Sequence, residues 1–211
     1  MAAFNAKFEN KITAVTVQDD ENTATLYSYM VNGGTLNNKG LELLIQYELM
    51  KNKKGIMTSI RPFANLTLSD FKYQDFVFEE VGSDINGDDS TLVYDYSGNH
   101  VAGVAPVVFN VGLDAETMIG VYGNVNFNYR GKMYFASDQA NQAASYGILN
   151  AKIGWKKAIQ KFDLNIYVGV NNITSQQYYQ MVFVNQLTDA YIPAPNEINF
   201  FAGVHLKIRA D

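Results

Sequence analysis

An acidic stretch in the middle of the chain carries oxygen ligands at the spacing of a calcium-binding loop. Asp84, Asn86, Asp88 and Asp95 occupy loop positions 1, 3, 5 and 12, where Ca²⁺ takes carboxylate and amide oxygens. Position 6, where the sharp turn requires glycine, is Asp89. We therefore predict either a weak calcium site or, favoured by the missing glycine, a solvated acidic loop. We expect no other cofactor.

The remaining residues that could catalyse a reaction or bind a metal form no such pattern. The two histidines, His100 and His205, fall near a loop end and on a strand face, which argues against a shared metal site or triad. Glu42 and Glu48 could form an acid–base pair. Carboxylates on a strand face that contacts water need no catalytic role, however. Residues 32–34 (Asn-Gly-Gly) precede no helix, so they make no phosphate loop. We predict that the chain is not an enzyme.

Seven tyrosines in the polar connections between predicted strands could capture a ligand, because aromatic faces bind sugars and chelates well. The same side chains could instead form an aromatic girdle at a membrane surface. The sequence leaves both interpretations open. The candidate ligand-binding residues are Tyr73, Tyr94, Tyr96, Tyr134, Tyr178, Tyr179 and Tyr191.

The elements that would position these residues are strands in which apolar and polar side chains alternate. In residues 162–171, every second residue from Phe162 to Val170 is apolar, and the residues between them include Asp163, Asn165 and Asn171. The segment is about as long as a membrane-crossing strand, roughly 9–11 residues. Its polar face could not sit in a dry core. An apolar exterior over a polar interior is typical of an outer-membrane β-barrel.

The same alternation recurs along the chain and predicts about eight strands. In the first, Phe4, Ala6, Phe8 and Ile12 are predicted to point outward, with the charged residues between them pointing inward. Pro62 falls within the third, which predicts a bulge or a missing ladder hydrogen bond. The predicted strands cover residues 4–12, 41–49, 56–68, 107–114, 121–129, 149–155, 162–171 and 198–208.

The predicted connections alternate in length. Residues 16–34, 69–100, 130–145 and 172–196 would form long polar loops, whereas the other connections are tight turns. Short periplasmic turns at one rim and long extracellular loops at the other are the outer-membrane pattern. A soluble antiparallel barrel or sandwich with its apolar faces turned inward is the competing fold.

Composition fits a single all-β domain over residues 1–211. The net charge of −5 argues against a nucleic-acid partner. No apolar run approaches the ~18 residues of a membrane-spanning helix, so only strands could cross a bilayer. The first twelve residues lack the features of a secretory signal. We therefore expect a barrel fragment with neither a signal peptide nor a plug domain.

Three segments resemble motifs of one family, the TonB-dependent outer-membrane receptors. Residues 38–43 (NKGLEL) resemble a stretch in which Gly40 and Glu42 are the matching positions. Residues 103–107 (GVAPV) are similar to the entry into a later strand. Residues 171–178 (NNITSQQY) resemble a signature near the C-terminus, with Asn172 and Tyr178 at the matching positions.

This resemblance implies the C-terminal part of a barrel of about 22 strands in the bacterial outer membrane. Such a receptor takes up a scarce ligand, a ferric siderophore, a cobalamin-like compound or a glycan. The implied partners are membrane lipid, the small-molecule ligand and TonB, the last acting only through a plug that this chain lacks.

Two alternatives remain open. One is a self-contained eight-stranded outer-membrane barrel with a structural or adhesive role, in which the first strand must pair with the last. The other is a lipocalin-like soluble binder, in which Leu164, Ile166 and Val168 would lie inside.

Overall fold

The chain folds entirely from β-strands. The computed structural model describes residues 1–18, 25–32, 34–51, 55–83, 89–185, 190–195 and 197–209. None of these residues belongs to a helix long and apolar enough to cross a membrane. The strands are β1 (Ala2–Phe8), β2 (Ile12–Gln18), β3 (Thr25–Asn32), β4 (Thr35–Gln46), β5 (Met50–Lys51), β6 (Met57–Asp75), β7 (Val77–Ser83), β8 (Asp89–Asp95), β9 (Val107–Thr117), β10 (Val121–Arg130), β11 (Met133–Tyr134), β12 (Gln142–Ala143), β13 (Tyr146–Ile159), β14 (Phe162–Asn171), β15 (Tyr179–Phe183), β16 (Ala190–Pro193) and β17 (Asn199–Ile208).

Eight of these strands form one antiparallel sheet, in the order β1-β4-β6-β9-β10-β13-β14-β17, with the short β5 beside β6. Consecutive sheet strands are neighbours, so the topology is up-and-down, as the sequence predicts. Among the described residues, β1 and β17 pair with no strand but β4 and β14, respectively. A closed eight-stranded barrel needs those two edges joined, so the structure does not support that alternative.

The register aligns apolar residues across the sheet on one side, called here the outer face. Val125 lies opposite Leu113 and Ala151, and Ile166 lies opposite Val204. Val125, Ile166 and Val204 are 48%, 42% and 68% exposed, so they do not form the centre of a globule. The predicted arrangement, with an apolar exterior over a polar interior, is therefore confirmed. The structure does not support the lipocalin-like alternative. In β6 the apolar outer face runs for about 27 Å along the strand, which suits a tilted strand crossing the ~25 Å apolar band of such barrels.

The polarity of the two faces reverses beyond Leu41 in β4 and Leu68 in β6. The next outer-face partners are Lys39 with Asp70 and Asn37 with Lys72, whereas the inner face carries apolar side chains. In this upper part, beyond the lipid, the outer face of the sheet meets water, whereas other residues of the chain pack against its inner face. The inner-face apolar residues of this upper part are Phe4, Phe8, Leu36, Phe71 and Tyr73.

The predicted orientation of the first strand is wrong. Strand β1 pairs only with the upper part of β4, and Phe4 and Phe8 lie opposite Gly40 and Leu36 on the inner face. Lys7 lies on the outer face with Asn37. Ile12 begins the separate strand β2. The strand does alternate as predicted, but alternation does not say which face is apolar once a strand leaves the membrane.

The connections alternate short and long, as predicted, but the long ones are not simple loops. The short connections β4–β6, β9–β10 and β13–β14 lie at one rim, and the four long ones lie at the other. Strand β6 extends to Asp75. Each long connection carries a two-stranded sheet, formed by β2–β3, β7–β8, β11–β12 or β15–β16. Polar composition suggested loops, yet hairpins satisfy their backbone groups by pairing with themselves.

At Pro62 the ladder lacks one hydrogen bond, as predicted. Tyr47 N donates to Pro62 O at 3.1 Å, but proline has no N–H to return the second bond of that pair. Strand β4 ends at Gln46, one residue earlier. Pairing with β6 resumes in β5, so Pro62 interrupts the ladder without ending the sheet.

Aromatic rings on the inner face lie over glycines of adjacent strands. A Cβ at Gly112 would stand 2.3 Å from the Phe63 ring and 2.7 Å from the carbonyl oxygen of Val125. Phe4 covers Gly40 in the same way, and Tyr167 covers Gly203. Because glycine has no side chain, each ring can lie directly against the backbone of the adjacent strand.

We predict that Gly112→Ala destabilises the protein by about 1–3 kcal/mol, because the new methyl group overlaps a ring and the backbone. Gly123→Ala is the matched control, since its Cβ would meet only Lys152 O, at 3.6 Å, and should change stability by less than about 0.5 kcal/mol. Urea midpoints in detergent micelles measure both. An equal loss of stability in the two variants would contradict the close contact between the Phe63 ring and Gly112.

A second prediction concerns the two faces of β17. Val204→Arg places a charge on the outer face near mid-height and should cost about 2–4 kcal/mol of folding stability in lipid. His205→Arg places an arginine one residue further along β17, on the inner face, and should be tolerated. The fraction folded in lipid vesicles, read from heat-modifiable electrophoresis, compares them. A larger loss for His205→Arg would reverse the assignment of the faces.

Candidate functional site

The inner face of the sheet carries a continuous ladder of hydrogen-bonded amides. Asn124 Nδ2 donates to Asp114 Oδ1 at 2.7 Å, Asn126 Nδ2 to Asn124 Oδ1 at 2.8 Å, and Asn128 Nδ2 to Asn126 Oδ1 at 2.8 Å. Asn150 Nδ2 joins at Asn126 Oδ1, at 3.1 Å. Two-residue spacing puts these side chains on one side of β10. They form an ordered polar wall.

Lys152 stands beside this ladder, between two tyrosine rings. Its Nζ lies 5.9 Å from the Tyr122 ring centroid and 5.8 Å from that of Tyr167. Both distances fall within cation–π range. Lys156 pairs with Glu116 at 2.8 Å nearby. The inner wall at this height therefore combines amide groups with charged side chains of both signs.

The buried hydrophobic residues lie at the rim of the long connections rather than between the sheet strands. A first cluster is centred on Phe76, which contacts Tyr73, Phe78 and Tyr96 at ring-centroid distances of 4.9, 5.6 and 5.5 Å. A second cluster surrounds Phe135. Both are built largely from aromatic rings, which supply much apolar area and defined geometry.

A buried serine ties three long connections together. Tyr73 Oη lies 2.8 Å from Ser137 Oγ. Ser137 donates from N and from Oγ to Asn185 Oδ1, at 2.8 and 3.0 Å. Asn99 Nδ2 donates to Ser137 O at 2.9 Å. Tyr73, Ser137 and Asn185 come from different parts of the chain, so the rim connections are joined around one polar centre.

Burial controls the ionisation of two groups around this centre. It raises the pKa of the Tyr73 phenol above its ordinary value, and hydrogen bonds with Ser137 and the Ala102 backbone offset part of that rise. Tyr73 therefore stays neutral near pH 7. Burial also lowers the pKa of Lys11, whose Nζ lies 6.0 Å from the Tyr73 ring centroid.

The structure places four of the seven candidate tyrosines in or against the rim clusters. Tyr73, Tyr94 and Tyr96 belong to or pack against the first, and Tyr179 packs against the second. Tyr191 lies 4.1 Å from Tyr179, measured between ring centroids. The other candidates are Tyr134, stacked on His100, and Tyr178, which packs on Tyr146.

Tyr73 is not in a loop as predicted. It lies in β6 and is 2% exposed, because the strand continues past the predicted boundary and its inner face becomes apolar there. A buried ring with a bonded hydroxyl supports the rim rather than facing solvent. Tyr191, by contrast, is exposed.

A small cavity of about 130 Å³ opens near the rim where His100 and Tyr134 stack. Their rings are 6.4 Å apart and nearly parallel, at 14°. Lys132 and Gln142 supply a cation and an amide to the same cavity. No sequence pattern identifies Lys132 or Gln142, since only the fold around the β11–β12 hairpin brings them beside His100.

A concavity of about 760 Å³ lies on the outer face and is not a ligand site of this kind. Small residues create it: Ala115, Gly123, Ala151 and Ala202. Its lining is apolar and belongs to the face that meets lipid. Size alone therefore does not identify the functional surface.

Three of the four predicted calcium ligands, Asp84, Asn86 and Asp88, lie outside the described residues. Asp95 ends β8, and its Oδ1 accepts a hydrogen bond from Ser97 N at 2.9 Å. Bonds from Ser97 lower the pKa of the Asp95 carboxyl. Within the described ranges, no group of three or more potential His, Cys, Asp or Glu ligands is placed to hold a metal. The calcium site stays a prediction.

The chain also matches the model of one protein family. The profile described as "TonB dependent receptor-like, beta-barrel" matches residues 1–173. The chain belongs to this family. Its members are transport receptors rather than enzymes, and they are outer-membrane proteins of Gram-negative bacteria. The predicted antiparallel transmembrane β-barrel architecture is thereby confirmed.

Two receptors from Acinetobacter baumannii have similar crystal structures. The siderophore receptor PiuA aligns with a TM-score of 0.65 and 16% identity over 97% of this chain and 25% of PiuA. BauA, the ferric preacinetobactin receptor, aligns with a TM-score of 0.63 and 13% identity over 97% of this chain and 26% of BauA. At these identities the likeness shows the fold, and the chain spans about a quarter of each receptor. Comparison with curated proteins gives no match.

The positions that carry the family resemblance have structural roles. Asn172 is buried at positive φ (53°) just after β14, where its amide accepts from Gln176 N at 2.9 Å and donates to Gln176 O at 3.0 Å. Gly40 seats the Phe4 ring. Tyr178 O accepts from Ala194 N, which holds the last long connection together. Glu42 lies on the inner face in this receptor barrel.

We predict that Ser137→Ala loosens the rim. The change removes a hydrogen-bond partner from Tyr73 and from Asn185, which should cost about 1–3 kcal/mol and speed trypsin cleavage after Lys132. Ser145→Ala, at an exposed position of the same connection, is the control and should leave cleavage unchanged. Cleavage of the Ser137→Ala protein at the unaltered rate would contradict the role of this serine.

Proposed function

We propose that the chain forms the wall and ligand-capturing rim of an outer-membrane receptor that takes up a small, scarce ligand. The observation that carries the proposal is the position of the four long connections, which all rise from one end of a polar-walled sheet. Long connections on a rigid sheet are suited to binding. A hydrophilic inner wall is suited to passage of a polar ligand.

A ferric siderophore is the ligand class we favour. The rim offers stacked aromatic rings and the Lys132–His100–Tyr134 cavity, which suit an anionic chelate whose iron-binding groups include planar rings. PiuA and BauA, which share the fold, are described as a siderophore receptor and as the ferric preacinetobactin receptor, respectively. Cobalamin-like compounds and glycans are the other ligand classes. TonB coupling would act through a plug domain, and the sheet edges β1 and β17 would continue into the remaining barrel.

The proposal predicts where ligand affinity resides. In the full-length protein, Lys132→Ala and Tyr134→Ala should each weaken binding about tenfold, a loss of ~1.4 kcal/mol. Tyr47→Ala is the control, because Tyr47 is exposed at the opposite rim. Fluorescence titration with ferric catecholate, ferric hydroxamate, cobalamin and maltodextrin measures affinity.

The outcomes separate the ligand classes. Binding of a ferric chelate that depends on Lys132 and Tyr134 supports the proposal. Preference for cobalamin or maltodextrin would keep the receptor but change its ligand. Failure of all four to bind, or equal weakening by Tyr47→Ala, would contradict ligand capture at this rim.

A further inference from the structure

The outer surface of the sheet carries a basic, amide-lined depression just above its apolar band. Its volume is about 520 Å³, and its lining includes Asn37, Lys39, Asp70, Lys72 and Gln74. We propose that this depression binds the phosphate groups of anionic lipid headgroups in the leaflet on the long-connection side. The site faces away from the inner wall, so it is separate from ligand capture.

The register places the lysines at headgroup height. Lys39 and Asp70 stand two residues beyond Leu41 and Leu68, the last apolar outer-face pair, which is about 7 Å along the strand. At the usual tilt of about 40°, that is ~5 Å above the hydrocarbon, within the interfacial layer of some 5–7 Å on each side of the bilayer core. Lys72 lies one further pair up, ~10 Å above the hydrocarbon by the same geometry, and its long side chain can extend back to the outer edge of that layer.

The charged residues that line the depression, Lys39, Lys72 and Asp70, leave one net positive charge on this part of the outer surface. Lys72 Nζ lies 3.3 Å from Asp70 Oδ1, and Lys7, opposite Asn37 in β1, pairs with Glu9 at 2.7 Å. Lys39 makes no ion pair within the described part of the chain. This basic excess is local, because the chain as a whole carries a net charge of −5. Amides of Asn37 and Gln74 add uncharged donors suited to phosphate oxygens.

A lipid, rather than free phosphate, fits the surroundings of the depression. Its lower side continues directly into the apolar outer face at Leu68, which is 36% exposed. A lipid with its phosphate between Lys39 and Lys72 would lay its acyl chains along that face. Basic residues close to an anionic leaflet each strengthen attraction by a measurable increment, and attached chains add apolar burial that free phosphate lacks.

The test uses the full-length protein in phosphatidylcholine nanodiscs that contain a minor fraction of diphosphorylated lipid A. Native mass spectrometry counts the lipid A retained after release from the discs. The double variant Lys39→Gln/Lys72→Gln should lower its apparent affinity about fivefold for each lysine removed. Lys207→Gln is the matched control, since it deletes the same charge from the inner face of β17. Asp70→Asn should act in the opposite direction and raise retention.

Heat-modifiable electrophoresis confirms that each variant is folded before binding is compared. Reduced retention in the double variant, with Lys207→Gln unchanged and Asp70→Asn increased, supports the site. Unchanged retention in the double variant, or an equal loss in Lys207→Gln, overturns it. Displacement of lipid A by millimolar inorganic phosphate would also overturn the lipid assignment, because it would show that the lysines recognise phosphate without the chains. If the double variant does not fold, the Asp70→Asn result decides alone: no increase contradicts the proposal.

Discussion

Hydrocarbon provides no hydrogen-bond partners, and this constraint governs the whole sheet. Every backbone N–H and C=O between the two rims must be bonded to a neighbouring strand, while the outer side chains must be apolar. The alignment of Val125, Ile166 and Val204 with apolar partners follows from that requirement. The inner face has water instead of lipid, so it can carry the Asn124–Asn126–Asn128 ladder, whose amides satisfy one another.

The same constraint explains where hydrophobic packing is found. With lipid on one side and a wet wall on the other, the sheet has no dry interior of its own. Burial of apolar side chains begins where the strands leave the membrane and their polarity reverses. Phe76 and Phe135 then build aromatic clusters among the long connections. The rim is therefore the best-packed part of the described structure, and it can hold binding side chains in fixed positions.

Much of the sheet could be predicted from alternation alone, and the failures have physical causes. In Phe162–Asn171 the outer face can be identified from the sequence, because alternate residues differ in polarity along the whole strand. Strand β1 alternates as clearly, but Phe4 and Phe8 lie on the inner face above the membrane, and a period of two does not say which face is apolar there. The hairpins in the connections were missed because their polar composition resembles that of loops. The rim centre was beyond sequence reasoning: Ser137 meets Tyr73 and Asn185 across 64 and 48 residues, and no local pattern records such contacts.

The reversal of polarity along β6 is the most direct test of this account, and the chain contains no cysteine to interfere with labelling. Single cysteines carrying a nitroxide, placed along the outer face of β6 in lipid, report access to oxygen in hydrocarbon and to a water-soluble nickel reagent. We predict that labels at Ala64, Leu66 and Leu68 respond to oxygen, whereas those at Asp70, Lys72 and Gln74 respond to nickel. Preferential nickel access at Ala64 and Leu66 would contradict the account.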